Sequence, residues 1–175
     1  MGTYLRSPSR KDVTAELVRH LFDYDPLTGI FHWKNPPNNY VKKGNVASWL
    51  HKGKGRLFLC ICNTEFHASN IAWLYFYGEW PKLEIDHRNR NRLDNSIANL
   101  RDVTMAVNCQ NRGRKKTNTS GFKGVYEHYN RHNEQIGWRA QIGVNKTRYH
   151  LGIYSTPELA AGAYRIAAAA LHWEA

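Results

Sequence analysis

Asp86 and His87 stand side by side in EIDHRNRNRLDNSIANL, residues 84–100, where six positions are Asn or Asp. A core strand needs no such set, and a simple turn needs less of it. The Asp86 carboxylate is a hard oxygen donor. Asn108, 108 − 86 = 22 residues later, offers a carboxamide oxygen. Such a pair suits Mg²⁺ or Mn²⁺ rather than zinc. An imidazole titrates near neutral pH, so His87 is suited to deprotonate water. The side-chain oxygen of Asn99 is the candidate acceptor for its other ring nitrogen. Arg88, Arg90 and Arg92 are placed to bind flanking phosphates. Together these groups meet the needs of phosphodiester hydrolysis: a base for water, one divalent ion for charge, and a stabilised leaving 3′-oxygen. A polar turn with a capping Asp and a solvated His would explain an isolated Asp-His pair. It does not explain amides at these spacings in the most basic part of the chain.

The elements around these residues must form a strand, a polar loop, a returning strand and a helix. KLEIDH (82–87) reads as the first strand, RNRNRLDNS as the loop and IANLRDVT as the return. TMAVNCQNR (104–112) reads as a helix with Thr104 as N-cap. A bend at the end of the first strand lets Asp86 and His87 border one cleft, although strand neighbours otherwise face opposite ways. The hairpin and one helical turn then fold Asn108 back towards them.

Upstream, DVTAELVRHLF (12–22) has a helical apolar face with Asp12 as N-cap. DYDPLTG breaks it, IFHWK reads as a strand, and RLFLCIC (56–62) alternates as another that turns through NTEFH into a third. SNIAWLYFYGEWP reads as an aromatic helix capped by Ser69 and stopped by Gly78 and Pro81. Its Trp73, Tyr75, Phe76 and Tyr77 are expected in the core. GRKKTNTSG, basic and rich in helix breakers, is the best domain boundary. Beyond it, GFKGVYEHY, GWRAQIGV and TRYHLGIY read as three short strands. STPELAAGAYRIAAAALHWEA reads as a helix with Thr156 as cap and Pro157 at its first position. That helix can cover one side of the sheet, with the other side facing outward.

Composition narrows the partner. The 175 residues carry a net charge of +11. From His87 to Tyr149 there are thirteen Lys or Arg against four Asp or Glu, so 13 − 4 = +9 is concentrated there. A concentrated basic stretch marks a polyanion site, and nucleic acid is the obvious polyanion. No apolar run approaches a spanning helix, and MGTYLRSPSRKD has no apolar core of a signal peptide. Cys60, Cys62 and Cys109 are an odd number and read as reduced thiols of a cytosolic protein.

GEWPKLEIDHRNRNRLDNSIANLRDVTMAVNCQNR closely resembles HNH endonucleases of the phage and homing type, and the likeness extends over residues 15 to 112. The resemblance implies a ββα-metal active site: Asp86 and Asn108 as metal ligands, His87 as general base, and Asn99 as the residue that positions it. Relatives often carry Ala-His-Arg before their Leu-Ala-Trp. Here Ser69 and Asn70 stand at the His and Arg positions, with His67 two residues before Ser69. The chain after residue 120 resembles the APETALA-two/ethylene-response-factor (AP2/ERF) type of DNA-binding domain, through KGV, WRAQI, LGIY and ELAAGAYRIAA. That family lays three strands in the major groove. By position, Lys123, Tyr126, His128, Arg139, Gln141, Arg148 and His150 then face DNA.

The expected fold class is α+β: a ββα-metal HNH nuclease domain followed by a three-stranded antiparallel sheet plus helix. The expected organisation is a nuclease domain with its lead-in at 1–112, a basic linker at 113–120, and a DNA-binding domain at 121–175. Arg112, Arg114, Lys115 and Lys116 in and beside the linker are expected to track DNA. The expected function is metal-dependent nicking of double-stranded DNA, with Mg²⁺ or Mn²⁺, by a monomer, since no heptad pattern suggests a coiled coil. A dimer would be needed to cut both strands at once. The implied setting is the cytoplasm of a phage-infected bacterium. The alternative is a DNA-binding regulator that keeps the scaffold and cuts little, for which the Ser69 departure speaks.

Overall fold

The computed structural model describes residues 9–114, 117–145 and 147–171. The chain divides into two compact units, Met1–Thr104 and Met105–Ala175. It is a mixed α and β structure built on small antiparallel sheets.

In the first unit, α1 (Ala15–Leu21) buries Ala15 and Val18, and Leu17 and Leu21 pack beside them. Its cap is Thr14, whose side chain accepts from the Leu17 N–H at 3.2 Å, and not Asp12. Asp12 instead accepts the N–H and hydroxyl of Ser9 in a short 3-10 turn before the helix. Helix α1 stops at Phe22 because the chain turns extended there, forming β1 (Phe22–Tyr24), which pairs with β2 (Phe31–Trp33). The expected helix is therefore one residue shorter at its end. Phe22 and Phe31 are fully buried and meet edge to face at 5.9 Å.

A three-stranded sheet follows: β3 (Trp49–His51), β4 (Arg56–Ile61) and β5 (Thr64–His67), in the order β3-β4-β5. Leu59 and Ile61 point into the core from one side of β4. Helix α2 (Ala68–Tyr77) begins directly after β5, so His67 takes the cap position and Ser69 lies buried in the first turn. Gly78, at φ 81°, ends it in the left-handed conformation, donating to the Leu74 carbonyl. Trp73 and Tyr75 pack on the core as expected, but Phe76 and Tyr77 are exposed on the helix's outer side. The hairpin β6 (Glu84–His87) and β7 (Leu100–Val103) closes the unit, with a 3-10 turn at Ile97–Asn99 just before β7.

The second unit opens with α3 (Met105–Asn111) and continues with β8 (Val125–Tyr129), β9 (Gln135–Val144) and β10 (Thr147–Tyr154), ordered β10-β9-β8. Helix α4 (Pro157–Leu171) covers one face, placing Ala160 and Ala161 against Val125 and Ala140. Thr156 caps it, accepting from the Leu159 N–H at 3.3 Å. Small residues on both sides bring helix and sheet close. Gly124, at φ +74°, shows how close: a Cβ there would stand 2.2 Å from the Tyr164 ring. Asn118 and Ser120 hydrogen-bond to the Val125 carbonyl, which anchors the end of the basic segment to β8.

Candidate active site and nucleic-acid interface

The strand register decides what surrounds the Asp-His pair. In the β6–β7 hairpin, Asp86 lies opposite Arg101 and His87 opposite Leu100. Directly opposed side chains share a face. Arg101 therefore reaches Asp86, donating to its Oδ2 from Nε at 2.9 Å and from Nη2 at 2.7 Å. Both side chains are buried, at 11% and 9% exposure. Leaving either partner of such a pair alone in the interior is costly, so Arg101 holds the Asp86 carboxylate in place.

His87 is buried as well. Its Nε2 lies 3.1 Å from the side-chain oxygen of Asn95. With the Asn95 oxygen as acceptor, the hydrogen lies on Nε2 and Nδ1 is the basic nitrogen. Burial holds the imidazole below its usual range; the Asn95 hydrogen bond works the other way, and the nearby Arg56 charge adds to the depression. Burial thus favours the neutral form of the ring, the form that can accept a proton.

Asn99 does not make this contact. Its side-chain oxygen accepts from the Asn89 N–H at 2.9 Å, and its amide donates to the Asp94 carbonyl at 2.8 Å. It sits in the 3-10 turn ahead of β7, so its side chain reaches back across the mouth of the arginine-rich loop. Asn99 shapes that loop, and Asn95 orients the ring. The loop itself is a series of short side-chain-to-backbone turns. Asp94 takes bonds from the Ser96 N–H and hydroxyl and from Asn89, and these hold its carboxyl below the usual range against the opposing effect of burial. Arg88, Arg90 and Arg92 project from the loop into solvent.

The lead-in of the chain fixes Asn95. Tyr24 donates its hydroxyl to the Asn95 carbonyl at 2.7 Å, and the Ile97 N–H donates to the Pro26 carbonyl at 2.9 Å. Gly29 lies against the same backbone, at φ +73°, and a Cβ on it would fall 2.2 Å from the Asn95 carbonyl carbon and 2.3 Å from the Ser96 nitrogen. Only glycine has both the conformation and the absence of bulk required. Gly29→Ala is expected to lower the unfolding free energy by about 2–3 kcal/mol and to weaken any activity that depends on His87. Urea denaturation measures the first, and unchanged stability would contradict the packing described.

Asn108 lies on α3 in the second unit and is half-buried. Arg112 and Arg114 are exposed after it, and Lys115 and Lys116 lie outside the described residues. Lys123 donates its ammonium to the Gln110 carbonyl within the second unit, an attachment that solubility alone does not require. On the sheet of that unit, β9 alternates: Ala140 and Ile142 turn towards α4, so Arg139 and Gln141 turn away. Register puts Tyr126 opposite Arg139, His150 opposite Gln141, and Arg148 opposite Gly143. Tyr126, Arg139, Gln141, Arg148 and His150 therefore share the face that α4 leaves uncovered, and His128 joins them through its pairing with Gly137. The Arg139 Nε is buried and makes no hydrogen bond.

For the divalent ion that the sequence suggests, the donor chemistry of Asp86 fits. An ionised carboxylate has about four lone-pair sites, and Arg101 takes two on Oδ2. Mg²⁺ commonly needs only one or two protein carboxylates beside water and phosphate oxygens. Among the described residues, no group of three or more His, Cys, Asp or Glu is arranged to hold a metal. Cys60 is half-buried and Cys62 exposed in a turn. No helix among the described residues is long and apolar enough to cross a membrane.

Three residues here escaped sequence reading. Arg101 becomes visible only once the hairpin register is known. Asn95 was hidden by its neighbour Asn99. Arg56 lies on a strand far upstream, and nothing in its local pattern points to His87.

A family model described as HNH endonuclease matches residues 66–110, a minority of the chain that runs from the end of β5 into α3. No curated protein and no solved structure matches the chain. The matched segment is similar to HNH endonucleases, which points to a nuclease, and it contains Asp86, His87, Asn95, Asn99, Arg101 and Asn108.

Proposed function

We propose that the chain is a divalent-metal-dependent HNH endonuclease that nicks double-stranded DNA. The observation that carries this is the buried pair at the end of β6: a carboxylate held by Arg101 next to an imidazole held by Asn95, inside the matched segment. His87, neutral and fixed, takes a proton from the attacking water. Arg101 holds the Asp86 carboxylate in its orientation. Arg88, Arg90 and Arg92 grip phosphates on either side of the scissile bond. Asp86 and Asn108 would hold Mg²⁺ or Mn²⁺, which supplies charge neutralisation on the phosphate and at the leaving 3′-oxygen.

In this reading the uncovered face of the β8–β10 sheet is an AP2/ERF-like reader that gives the nuclease its site preference. Arg139 and Arg148 suit guanine and Gln141 suits adenine. Lys123, Arg112, Arg114, Lys115 and Lys116 supply phosphate contacts that set register without reading sequence. In this reading the nuclease domain runs to residue 112, a basic linker follows at 113–120 and the reader begins at 121, and the enzyme acts as a monomer in the cytoplasm of a phage-infected host.

Plasmid nicking tests this. Wild type is expected to convert supercoiled to open-circular plasmid with Mg²⁺ or Mn²⁺ and not with EDTA. Asn108→Ala is expected to raise the metal concentration for half-maximal nicking by at least about tenfold, as loss of a metal-supporting group does. Nicking that persists in EDTA would overturn the metal role. Tight duplex binding with no nicking under any metal would instead establish a regulator on this scaffold.

A further inference from the structure

The sheet β3-β4-β5 has two faces, and only one is spent on the core. Leu57, Leu59 and Ile61 face the hydrophobic cluster. Arg56, Phe58 and Cys60 alternate to the other side. Register adds His51 opposite Arg56, and Trp49 and His67 opposite Phe58. Phe58 is only 3% exposed, yet it belongs to no core cluster. Its neighbours bury it: His67 at 4.5 Å and His51 at 5.5 Å between ring centroids, with the Lys54 ammonium 4.6 Å above the ring. Phe58 is thus a buried pedestal under a layer of cationic and imidazole groups.

Arg56 is half-buried on this face. Among the described residues it forms no hydrogen bond and no ion pair. Burial and the nearby Arg92 charge both disfavour its guanidinium, with Glu84 acting against them. Burial holds the His67 imidazole below its usual range, and the Arg56 and Lys54 charges add to that. Register and ring contacts place Lys54, Arg56, His51 and His67 together on this face, and Arg92 is near enough to act on the Arg56 charge. Glu65, the carboxylate on the same face, sits opposite Cys60, four positions along the strand from Arg56. Arg56 is half-buried with only the Glu84 charge acting in its favour, while Lys54 and Arg92 are exposed, and an anion seated against it offsets the cost of that burial.

We propose that Arg56, with Lys54 and Arg92, forms a phosphate-binding site on the outer face of the β3-β4-β5 sheet, which holds the DNA backbone beside His87. It rests on the nuclease reading for the identity of the polyanion, and adds residues upstream of those the motif names. The guanidinium can take two phosphate oxygens at once, and Lys54 contributes a point charge. Trp49 and His51 pack beside the backbone sugars.

The test measures full-length protein binding a short duplex by fluorescence anisotropy in EDTA across a salt series, so that cleavage plays no part. Wild type is compared with Arg56→Gln, Arg56→Lys and Lys54→Gln, each checked for a wild-type melting temperature. Arg56→Gln is expected to weaken binding about tenfold at 0.1 M salt and to reduce the slope of log affinity against log salt by about 0.9. Arg56→Lys should recover most of that slope. Lys54→Gln, an exposed change, should give a smaller loss in the same direction and stands in if Arg56→Gln does not fold. An unchanged slope and affinity in the folded variants, or no duplex binding by wild type, overturns the site. A nicking assay on the same proteins separates the two readings. Full nicking by His87→Ala alongside the Arg56 effect would sink the catalytic assignment and leave this site standing.

Discussion

Arg101→Ala is expected to lower the unfolding free energy by about 3–5 kcal/mol, the cost of leaving a buried carboxylate without its partner. Arg101 makes two hydrogen bonds to one oxygen of Asp86, and both side chains are almost out of water. Their attraction is therefore weakly screened, and so is the penalty for removing half of it. The double replacement Asp86→Asn with Arg101→Met should recover most of the loss, because neither partner is then left charged and alone. A double-mutant cycle by urea denaturation reads the coupling directly. A loss below about 1 kcal/mol for Arg101→Ala, the range of exposed pairs, would mean that the pair is solvated and that Asp86 is not held as described.

The second large effect concerns rate. His87→Ala is expected to slow single-turnover nicking by on the order of 100- to 10,000-fold, the span for loss of a positioned general base. Truncation also leaves the buried Asn95 oxygen without its partner, which costs about 1–3 kcal/mol of stability, so rates are compared at a temperature where both proteins are folded. Asn95→Ala should give a smaller rate loss, since the base remains and only its orientation loosens. Asn99→Ala should act differently. Its amide ties Asn89 and Asp94 together, so its loss should weaken substrate grip through the arginine loop more than it slows a bound complex. If Asn95→Ala nicks like wild type while Asn99→Ala matches His87→Ala, the positioning roles stand reversed.

Much of the fold was legible because local pattern and final packing agree. The alternation in RLFLCIC and the cap Thr156 followed by Pro157 each specify one element, and both elements form as expected. Errors arose where tertiary pairing outweighs local preference. Phe22 fits a helix by spacing, yet it pairs with Trp33 and ends α1. Strand β3 is short and runs directly into a turn holding Gly53 and Gly55, so nothing marks it until β4 supplies a partner. Ser69 is a good cap by type, but β5 runs straight into α2 and the cap position falls two residues earlier.

The site divides in the same way. Asp86 and His87 are visible because adjacency and polarity survive in one dimension. Arg101 and Asn95 are not, since their roles depend on hairpin register and on a loop clamped from residues 24–29. Gly29 is the clearest case: its sequence context reads as an ordinary turn, and its need to be glycine comes from the Asn95 backbone against it. The basic face around Arg56 was also hidden, because two histidines, a lysine and an arginine spread over residues 51–67 show no charge run.

Whether His87 is the base is decided by single-turnover nicking of supercoiled plasmid by wild type and His87→Ala, purified in parallel and assayed in one buffer with Mg²⁺. Wild type is expected to yield open-circular product, and the variant to lose at least about 100-fold in rate at a temperature where both proteins are folded. Equal rates from the two proteins would contradict that role.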